Sequence, residues 1–251
     1  MAEFNKENNE LIYGRNGVLE ALKSGRPINK ILFCGEMKGS MSQITALAKE
    51  NKVIMTQVSR SKMDELTGSA SHQGVMAYVS PKEYASVDNI LQVAKDKNQP
   101  PFIIVLDEIQ DPHNLGAIIR TCDAVGAHGV IIPKRRSVQL TGVVSKASAG
   151  AVEHVPVARV TNIPATLKEL KDEGLWVYGT DLSGETPFYG TDLKGPVALV
   201  IGSEGFGMGR LTKEQCDFVL TIPMEGQVSS LNASVAAGVV MYEIFKQRKG
   251  K

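Results

Sequence analysis

The residues whose types and spacing could support chemistry fall in three stretches of this 251-residue chain. The first, Asp107–Arg120, follows an apolar run and opens a predicted helix, where ligand sites of open α/β sheets usually lie. Asp111 can cap this helix, and Pro112 suits its first turn. Asn114 and Arg120 are polar residues on an otherwise apolar helix, and six positions of helical rotation leave them about 120° apart. They could flank one pocket, or serve only as structural residues.

The second stretch, Val197–Met208, is a buried-type strand that runs into three glycines spaced G-x-x-G-x-G. Glycines in such a turn let backbone amides approach a ligand closely, although a simple strand-to-helix turn would look the same. The spacing matches neither the dinucleotide fingerprint nor the P-loop. Glu204 lies among the glycines, and its negative charge disfavours phosphate and suits a cationic or hydrogen-bond-donating ligand.

The third stretch, Leu220–Gly238, contains a strand that ends at Pro223, a polar loop, and a helix that starts near Asn232. Ser230 or Asn232 could cap this helix, which would explain both residues structurally. One face of the helix carries only small residues: Ala233, Ala236, Ala237 and Gly238. Such a face permits close packing against another backbone, either within the chain or across a dimer contact.

Composition excludes several classes of protein. The net charge is only +1, so any RNA contact must rest on local patches such as Lys134–Arg136 with Lys146, which could equally be solvated loops. The three cysteines are scattered, and no metal-ligand or acyl-enzyme motif occurs, so no metal is expected. The N-terminus has no signal-peptide core, and the apolar runs are too short to span a bilayer. We therefore expect a cytoplasmic protein.

The pattern of apolar residues predicts an α/β fold in two parts. In the first part the predicted helices are Gly14–Ser24, Ser40–Asn51 and Ser61–Leu66, and the strands are Lys30–Cys34, Lys52–Val58 and Gly74–Ser80. Pro81 and the residues 99–101 bracket a connector that contains a helix over Ser86–Asn98. The predicted domains are therefore residues 1–80, a linker over 81–100, and residues 101–251.

The second part again alternates strands and helices. The predicted strands are Phe102–Leu106, Gly129–Ile132, Trp176–Thr180 and Val197–Ile201. The predicted helices are Asn114–Val125, Thr141–Ala151, Ile163–Glu173 and about Asn232–Lys246. Continuous apolar strands separated by helices are typical of a mostly parallel sheet covered on both faces.

The three stretches together resemble the three motifs of the SpoU (TrmH-type) 2′-O-ribose methyltransferases of the SPOUT superfamily. The matching segments read D-P-H-N-L-G-A-I-I-R, A-L-V-I-G-S-E-G-F-G-M and I-P-M-E-G-Q-V-S-S-L-N-A-S-V-A, in that order. Leu11–Ser80, with I-Y-G-R-N-G-V-L-E-A-L, resembles the L30e/L7Ae-like RNA substrate-binding domain that often precedes this catalytic domain. The whole chain is most similar to the bacterial 23S rRNA guanosine 2′-O-methyltransferase type.

The resemblance implies a C-terminal trefoil-knot domain that binds S-adenosylmethionine, and a homodimer with its active site near the interface. The implied catalytic-pocket residues are Asn114, Arg120, Glu204, Ser230 and Asn232. The implied cofactor-binding residues are Thr180, Gly202, Ile222 and Leu231. The implied reaction is 2′-O-methylation of a guanosine ribose in 23S rRNA.

The alternatives are the same chemistry on tRNA, or a non-catalytic RNA-binding or ribosome assembly factor. A nucleotide-dependent oxidoreductase is disfavoured because no G-x-G-x-x-G follows a strand. The resemblance also implies that Arg120 is the general base, but a guanidinium deprotonates only above about pH 12. We expect instead that Arg120 stays charged and stabilises the developing alkoxide or anchors a phosphate, with Asn114 orienting Arg120 or the hydroxyl.

Overall fold

The computed structural model describes residues 10–36, 38–68, 71–227 and 230–250. These residues pack into two units. The first contains the described chain up to Glu83 together with Gln139–His154, and the second contains Tyr84–Val138 and the described chain from Val155 onward. Within the described ranges, no helix is long and apolar enough to cross a membrane. The division expected from the sequence, into residues 1–80, a linker over 81–100 and residues 101–251, stays a prediction.

The first unit contains a small mixed sheet with helices on both of its faces. Its described strands are β1 (Glu10–Tyr13), β2 (Ile28–Phe33), β3 (Met55–Gln57) and β4 (Val75–Val79), and its helices are α1 (Arg15–Lys23), α2 (Ser40–Glu50) and α3 (Arg60–Thr67). The strand order is β1-β4-β2-β3, with β2 and β3 parallel and the other pairs antiparallel. All six predicted elements are confirmed within three residues at each end.

The second unit is built on a larger, parallel sheet. Its described strands are β5 (Phe102–Leu106), β6 (Gly129–Pro133), β7 (Val157–Val160), β8 (Trp176–Thr180), β9 (Thr186–Pro187), β10 (Val197–Ile201) and β11 (Phe218–Thr221). Its described helices are α4 (Val87–Asp96), α5 (Pro112–Val125), α7 (Ile163–Asp172), α8 (Arg210–Glu214) and α9 (Ala233–Lys249). Every described strand pair is parallel, which confirms the sheet expected from continuous apolar strands.

The segment between β6 and β7 packs with the first unit. It contains α6 (Gly142–Ala147) and a 3₁₀ turn at Ala151–Glu153, where the sequence predicted one helix over Thr141–Ala151. Helix α6 lies so close to β1 that a Cβ at Gly142 would overlap the carbonyl oxygen of Leu11. A glycine at this position therefore allows the two backbones to meet.

A buried group of charges fastens the same segment to the first unit. The guanidinium of Arg26 pairs with Glu153 at 2.7 Å and with Glu10 at 2.5 Å, and Lys82 pairs with Glu153 at 3.1 Å. Burial raises the pKa of Glu10, although the positive charge of Arg26 opposes this effect. Removal of Arg26 would leave two buried carboxylates without their main partner, which is strongly destabilising.

The strand order of the larger sheet brings the three polar stretches together. The order is β7-β6-β5-β10-β8-β11-β9, so β10 lies between β5 and β8. In register, Ile201 at the end of β10 pairs with Leu106 of β5 and with Thr180 of β8. All carboxyl ends point the same way, and the stretches that follow β5, β10 and β11 therefore meet at one edge of the sheet.

Helix α9 is held in place near its C-terminal end by Arg248. This side chain donates hydrogen bonds to the carbonyl oxygens of Pro100, Pro101 and Gly195, at 2.9, 3.0 and 2.5 Å. Its guanidinium also lies 5.0 Å from the ring centroid of Phe102, and burial lowers its pKa to about 10. Arg248 thus ties the last helix to the segment before β5 and to the loop before β10. The trefoil knot that the family resemblance implies stays a prediction.

His128 gives the second unit a defined dependence on pH. Its Nδ1 accepts a hydrogen bond from the Phe102 amide at 2.9 Å, and its Nε2 lies 3.1 Å from Gln99 Oε1. Both contacts are satisfied by the neutral ring. Burial, with the positive charges of Lys97 and Arg248, lowers the pKa of His128 to about 4.

We predict that the free energy of unfolding falls as the pH drops from about 6.5 to about 4, because in this window the unfolded chain binds a proton that the folded chain does not. The slope attributable to His128 should approach about 1.4 kcal/mol per pH unit. Urea denaturation of the wild type and of His128→Gln at several pH values measures this. Equal slopes for the two proteins between pH 4 and 6.5 would contradict the assignment.

Candidate active site at the carboxyl edge of the parallel sheet

A cavity of about 750 Å³ opens at the carboxyl ends of β8, β10 and β11. This volume is in the range of small-molecule and cofactor sites. Residues after these three strands and at the start of α9 line it: Thr180, Asp181, Leu182, Ile201, Gly202, Ser203, Glu204, Gly205, Phe206, Gly207, Leu220, Ile222, Met224, Ser230, Leu231, Asn232, Ala233 and Ala236. The wall therefore comes from segments that are far apart in the chain.

The cavity brings together most of the site residues expected from the sequence. All four expected cofactor-binding residues line it: Thr180, Gly202, Ile222 and Leu231. Glu204, Ser230 and Asn232 line it as well. Asn114 is buried behind this wall and contacts Glu204 and Asn232, whereas Arg120 is exposed on α5 and is not among the lining residues. The roles of these residues stay predictions.

Three polar side chains form a closed hydrogen-bonded triangle beside the cavity. The amide nitrogen of Asn114 donates to Glu204 Oε1 in a short hydrogen bond. The amide nitrogen of Asn232 donates to the same Oε1 and to Asn114 Oδ1, both at 3.0 Å. One residue of the triangle comes from each of the three sequence stretches, so the triangle fixes the stretches relative to one another.

Asn232 also explains why the triangle has only one arrangement. Its Oδ1 caps α9 by accepting hydrogen bonds from the backbone amides of Ser234 and Val235, at 2.9 and 3.3 Å. This cap directs Oδ1 toward the helix and therefore turns the NH₂ group toward Glu204 and Asn114. One amide therefore caps α9 and also lines the cavity, while its catalytic role stays a prediction.

The loop between β10 and α8 requires glycine where it turns. Ser203 and Gly207 exchange backbone hydrogen bonds of 2.9 and 3.0 Å, which closes the loop. A Cβ at Gly202 would overlap the backbone of Gly207 and Met208. Gly205 and Gly207 have φ values of 85° and 66°, a region that side-chain-bearing residues rarely adopt. The G-x-x-G-x-G spacing is thus accounted for by the shape of the loop.

Two aspartates that the sequence analysis did not single out support this region. Asp107 Oδ2 accepts a hydrogen bond of 2.8 Å from the amide of Gly209, which anchors the far end of the loop. Asp181 lines the cavity and accepts hydrogen bonds from Ser183. Burial alone would raise the pKa of Asp181, but the Ser183 hydrogen bonds and the charge of Lys213 outweigh this effect and lower it. The sequence signal that could have identified both aspartates is their position directly after the apolar strands β5 and β8.

The charge of the cavity wall favours a cationic ligand. Asp181 and Glu204 carry carboxylates, and none of the described lining residues is lysine, arginine or histidine. Lys213 lies 3.4 Å from Asp181 and offsets part of its charge, so Glu204 is the main group of the wall that attracts a positively charged ligand and disfavours phosphate. The composition of the wall therefore agrees with the expectation from the sequence that Glu204 suits a cationic ligand better than a phosphate.

The basic cluster expected from the sequence is divided between the two units. Lys134, Arg135 and Arg136 follow β6 in the second unit, and Arg136 pairs with Glu108 at 3.2 Å. Lys146 belongs to the first unit, where its ammonium lies 5.1 Å from the ring centroid of Tyr13. These basic residues are close in sequence, but they belong to different units and do not form one patch within either unit.

Fold and cavity together define an α/β protein with a cavity of cofactor size at the carboxyl edge of a parallel sheet. The sequence profile of the SpoU rRNA methylase family matches residues 101–242, and a profile described as RNA 2′-O ribose methyltransferase substrate binding matches residues 11–85. The chain belongs to the SpoU rRNA methylase family.

Relatives and solved structures agree with this assignment. The chain is 51% identical over 243 residues to YacO of Bacillus subtilis, a protein assigned to the TrmH family of tRNA/rRNA methyltransferases, with 96% of this chain and 97% of YacO covered. A homologue with the same family assignment in Staphylococcus aureus MRSA252 is 52% identical, with 95% and 96% covered. The SpoU methyltransferase AviRb of Streptomyces viridochromogenes is 26% identical with a TM-score of 0.82, over 97% of this chain and 91% of AviRb.

A second structure of AviRb was solved with the cofactor AdoMet. It superposes with a TM-score of 0.81 at 24% identity, over 99% of this chain and 96% of that chain, and this level of identity supports the fold. The substrate-binding and methylase profiles, together with AviRb at 26% identity, confirm an α/β fold with a substrate-binding domain ahead of a SPOUT domain.

We predict that Gly202→Ala weakens binding of S-adenosylmethionine at least tenfold (about 1.4 kcal/mol). The added methyl group cannot fit against the backbone of Gly207, so the loop must open. Isothermal titration calorimetry measures the Kd, and far-UV circular dichroism checks the fold. Gly195→Ala is the matched control, because a Cβ there meets no atom within 4 Å. An unchanged Kd in a folded Gly202→Ala protein would refute the prediction.

Proposed function

We propose that this protein transfers a methyl group from S-adenosylmethionine to the 2′-hydroxyl of a guanosine in 23S rRNA. The observation that carries the proposal is the acidic, glycine-walled cavity, which is joined through one hydrogen-bonded triangle to all three sequence stretches. Membership of the SpoU rRNA methylase family supports the chemistry.

The residues of the cavity suit S-adenosylmethionine, which carries a positive sulfonium and supplies its methyl group as an electrophile. Thr180, Gly202, Ile222 and Leu231 would hold the cofactor through backbone groups and apolar contacts. The carboxylates of Asp181 and Glu204 favour its positive charge. Because no described wall residue is cationic, a dinucleotide cofactor fits poorly, which disfavours the oxidoreductase alternative.

The polar residues would position the ribose, and the proton of its 2′-hydroxyl would leave to solvent as the oxygen accepts the methyl group. The Asn114–Glu204–Asn232 triangle holds the carboxylate of Glu204 at the cavity, and Glu204 Oε2 has no hydrogen-bond partner among the described residues. In this proposal Arg120 keeps its charge and stabilises negative charge as it develops on the ribose oxygen. Pre-oriented charges of this kind act on the transition state more strongly than on the ground state.

The choice of rRNA rests on the family, which is described as an rRNA methylase family, and on the presence of the first unit. Residues 11–85 match the substrate-binding profile, and the homologues carry a joint tRNA/rRNA assignment. A tRNA-modifying enzyme of A. aeolicus is 31% identical with a TM-score of 0.56. The match covers only 65% of this chain, against 84% of that enzyme. A tRNA substrate remains the second candidate because of that joint assignment. A binding-only role in ribosome assembly would leave the cavity without a function.

Transfer of labelled methyl groups tests both the reaction and the substrate. We expect purified protein to convert guanosine in unmodified 23S rRNA to 2′-O-methylguanosine, and Arg120→Ala to lower kcat by about 10²-fold or more, as for loss of one transition-state donor. Arg210→Ala, which removes an exposed arginine paired with Glu214, is the matched control. If Arg120 stays charged, Arg120→Lys should keep part of the activity with an unchanged pH profile across neutral pH.

Transfer to tRNA but not to 23S rRNA would refute the proposed substrate and keep the reaction. Cofactor binding without transfer to either RNA, with assembly intermediates also tested, would favour the binding-only role. Loss of RNA binding in Arg120→Ala would show that the residue acts in affinity and not in the chemical step.

We further propose that the protein is a homodimer through its C-terminal domain. Helix α9 packs on α5, where Met241 contacts Cys122. The same helix also exposes Val235, Val239 and Tyr242, at spacings of four and three residues. An apolar stripe that faces solvent is typical of a contact surface. Arg120 is exposed on α5 and does not line the cavity of its own chain. In a dimer, its guanidinium could instead reach the cavity of the second copy.

We predict that mixed dimers of Arg120→Ala and Gly202→Ala regain about half of the wild-type activity, because each mixed dimer then contains one intact site of two. Co-expression with two different affinity tags isolates the mixed species, and labelled methyl transfer measures its activity. The assay is run at a cofactor concentration near the wild-type Kd, where both parent homodimers should have much lower activity than the wild type. A mixed dimer as inactive as its parents would show that Arg120 serves the cavity of its own chain, and a monomeric mass in light scattering would exclude the dimer.

A further inference from the structure

Phe206 is the most exposed of the large apolar side chains in the described part of the chain. Its exposed fraction is 95%, compared with 60% for Leu182 and 57% for Tyr189. The residue lies at the tip of the loop between β10 and α8 and lines the mouth of the cavity. A phenyl ring in this position is in contact with solvent on nearly all sides, and unlike the exposed apolar residue Ile54 it lies on the wall of the cavity.

Hydrogen bonds brace the backbone of the loop on both sides of Phe206. The paired backbone hydrogen bonds between Ser203 and Gly207 close the turn directly below Phe206, and Asp107 fixes the amide of Gly209. Phe206 is flanked by two glycines with positive φ, which give the tip its shape without adding side chains. The ring is therefore the only group of the tip beyond Glu204 that can reach over the cavity mouth.

The side chain of Glu204 lines the cavity and is held there, since its Oε1 accepts hydrogen bonds from Asn114 and Asn232. Phe206 itself has no ring contact with any described residue. A flat apolar surface at the mouth of the cavity is thus left available. An exposed aromatic ring beside a binding cavity is typical of a surface on which a planar ligand stacks.

We propose that Phe206 stacks against a nucleobase of the RNA substrate and thereby positions the acceptor ribose at the cavity mouth. The inference rests on the proposed function, because the reacting ribose must enter this mouth and brings its base, and those of its neighbours, within reach of the loop tip. Aromatic side chains are the usual partners of unstacked RNA bases, and loss of one such contact weakens RNA binding by about tenfold or more. An uncharged ring also suits a wall whose charges are both negative, since it attracts the base without adding repulsion of the phosphates.

Two other ligands could use the same ring, and they predict different measurements. Stacking on the adenine of the cofactor would make the Kd for S-adenosylmethionine depend on Phe206. Packing against a second copy of the chain would make the mass of the assembly depend on it. Stacking on RNA leaves both quantities unchanged.

The test compares Phe206→Ala with Phe206→Tyr and with the control Tyr189→Ala, which removes an exposed ring outside the cavity wall. For Phe206→Ala we expect the KM for RNA to rise about tenfold, the change that a single lost stacking contact produces. Its kcat should fall less than the KM rises, and its Kd for S-adenosylmethionine and its mass in light scattering should match the wild type. Phe206→Tyr should restore the KM, and Tyr189→Ala should behave as wild type.

An unchanged KM in Phe206→Ala would overturn the inference, as would a weakened cofactor Kd or a changed mass. Filter binding of the same RNA, in the presence of the non-reactive product S-adenosylhomocysteine, provides a readout that does not require methyl transfer. If the wild type transfers no methyl group, the proposed function fails, but the RNA affinities of Phe206→Ala and Phe206→Tyr still decide whether the ring contacts RNA. If the wild type is active and these affinities are equal, only the present inference fails.

Discussion

The amide orientation of Asn232 is the constraint on which the geometry of the site depends. The start of α9 needs a side-chain oxygen to accept from its first backbone amides, and Asn232 Oδ1 fills this need. The NH₂ group must then face Glu204 and Asn114. A helix cap, which forms for local reasons, thereby sets the direction of hydrogen bonds among residues separated by 28 and 118 positions in the chain.

The strand order of the sheet brings the three residues of this triangle close enough to form hydrogen bonds. Because β10 pairs with β5 on one side and β8 on the other, the loops after these strands emerge side by side. Gly202 lets the loop after β10 fold back on itself at van der Waals distance, and Asp107 at the end of β5 holds its far end. The glycines and the aspartate contribute no group to the proposed reaction, yet without them Glu204 would have no fixed position.

The strong apolar periodicity of the larger elements allowed them to be predicted from the sequence, and Phe102–Leu106 and Val197–Ile201 match residue for residue. The elements that were missed carry little pattern: β9 has two residues, β1 and β7 have four each, and α8 has five. The site residues were found through family motifs, whereas the roles of Asp107 and Asp181 depend on which strands are neighbours. Strand order is a long-range property, and local periodicity does not encode it. The packing of Gln139–His154 with the first unit depends on Arg26 and Glu153, which lie 127 residues apart.

The acidic wall creates a physical problem for an RNA-modifying enzyme, since the substrate is a polyanion. Asp181 and Glu204 repel phosphates at the place where the ribose must arrive, and the net charge of the chain is only +1. A cationic cofactor in the cavity would offset this repulsion, and Lys134 and Arg135 at the same edge of the sheet would favour the approaching backbone. Contacts that do not depend on charge, such as stacking on Phe206, then gain importance. The distribution of charge therefore favours a site in which electrostatics selects the cofactor, while shape and stacking position the RNA.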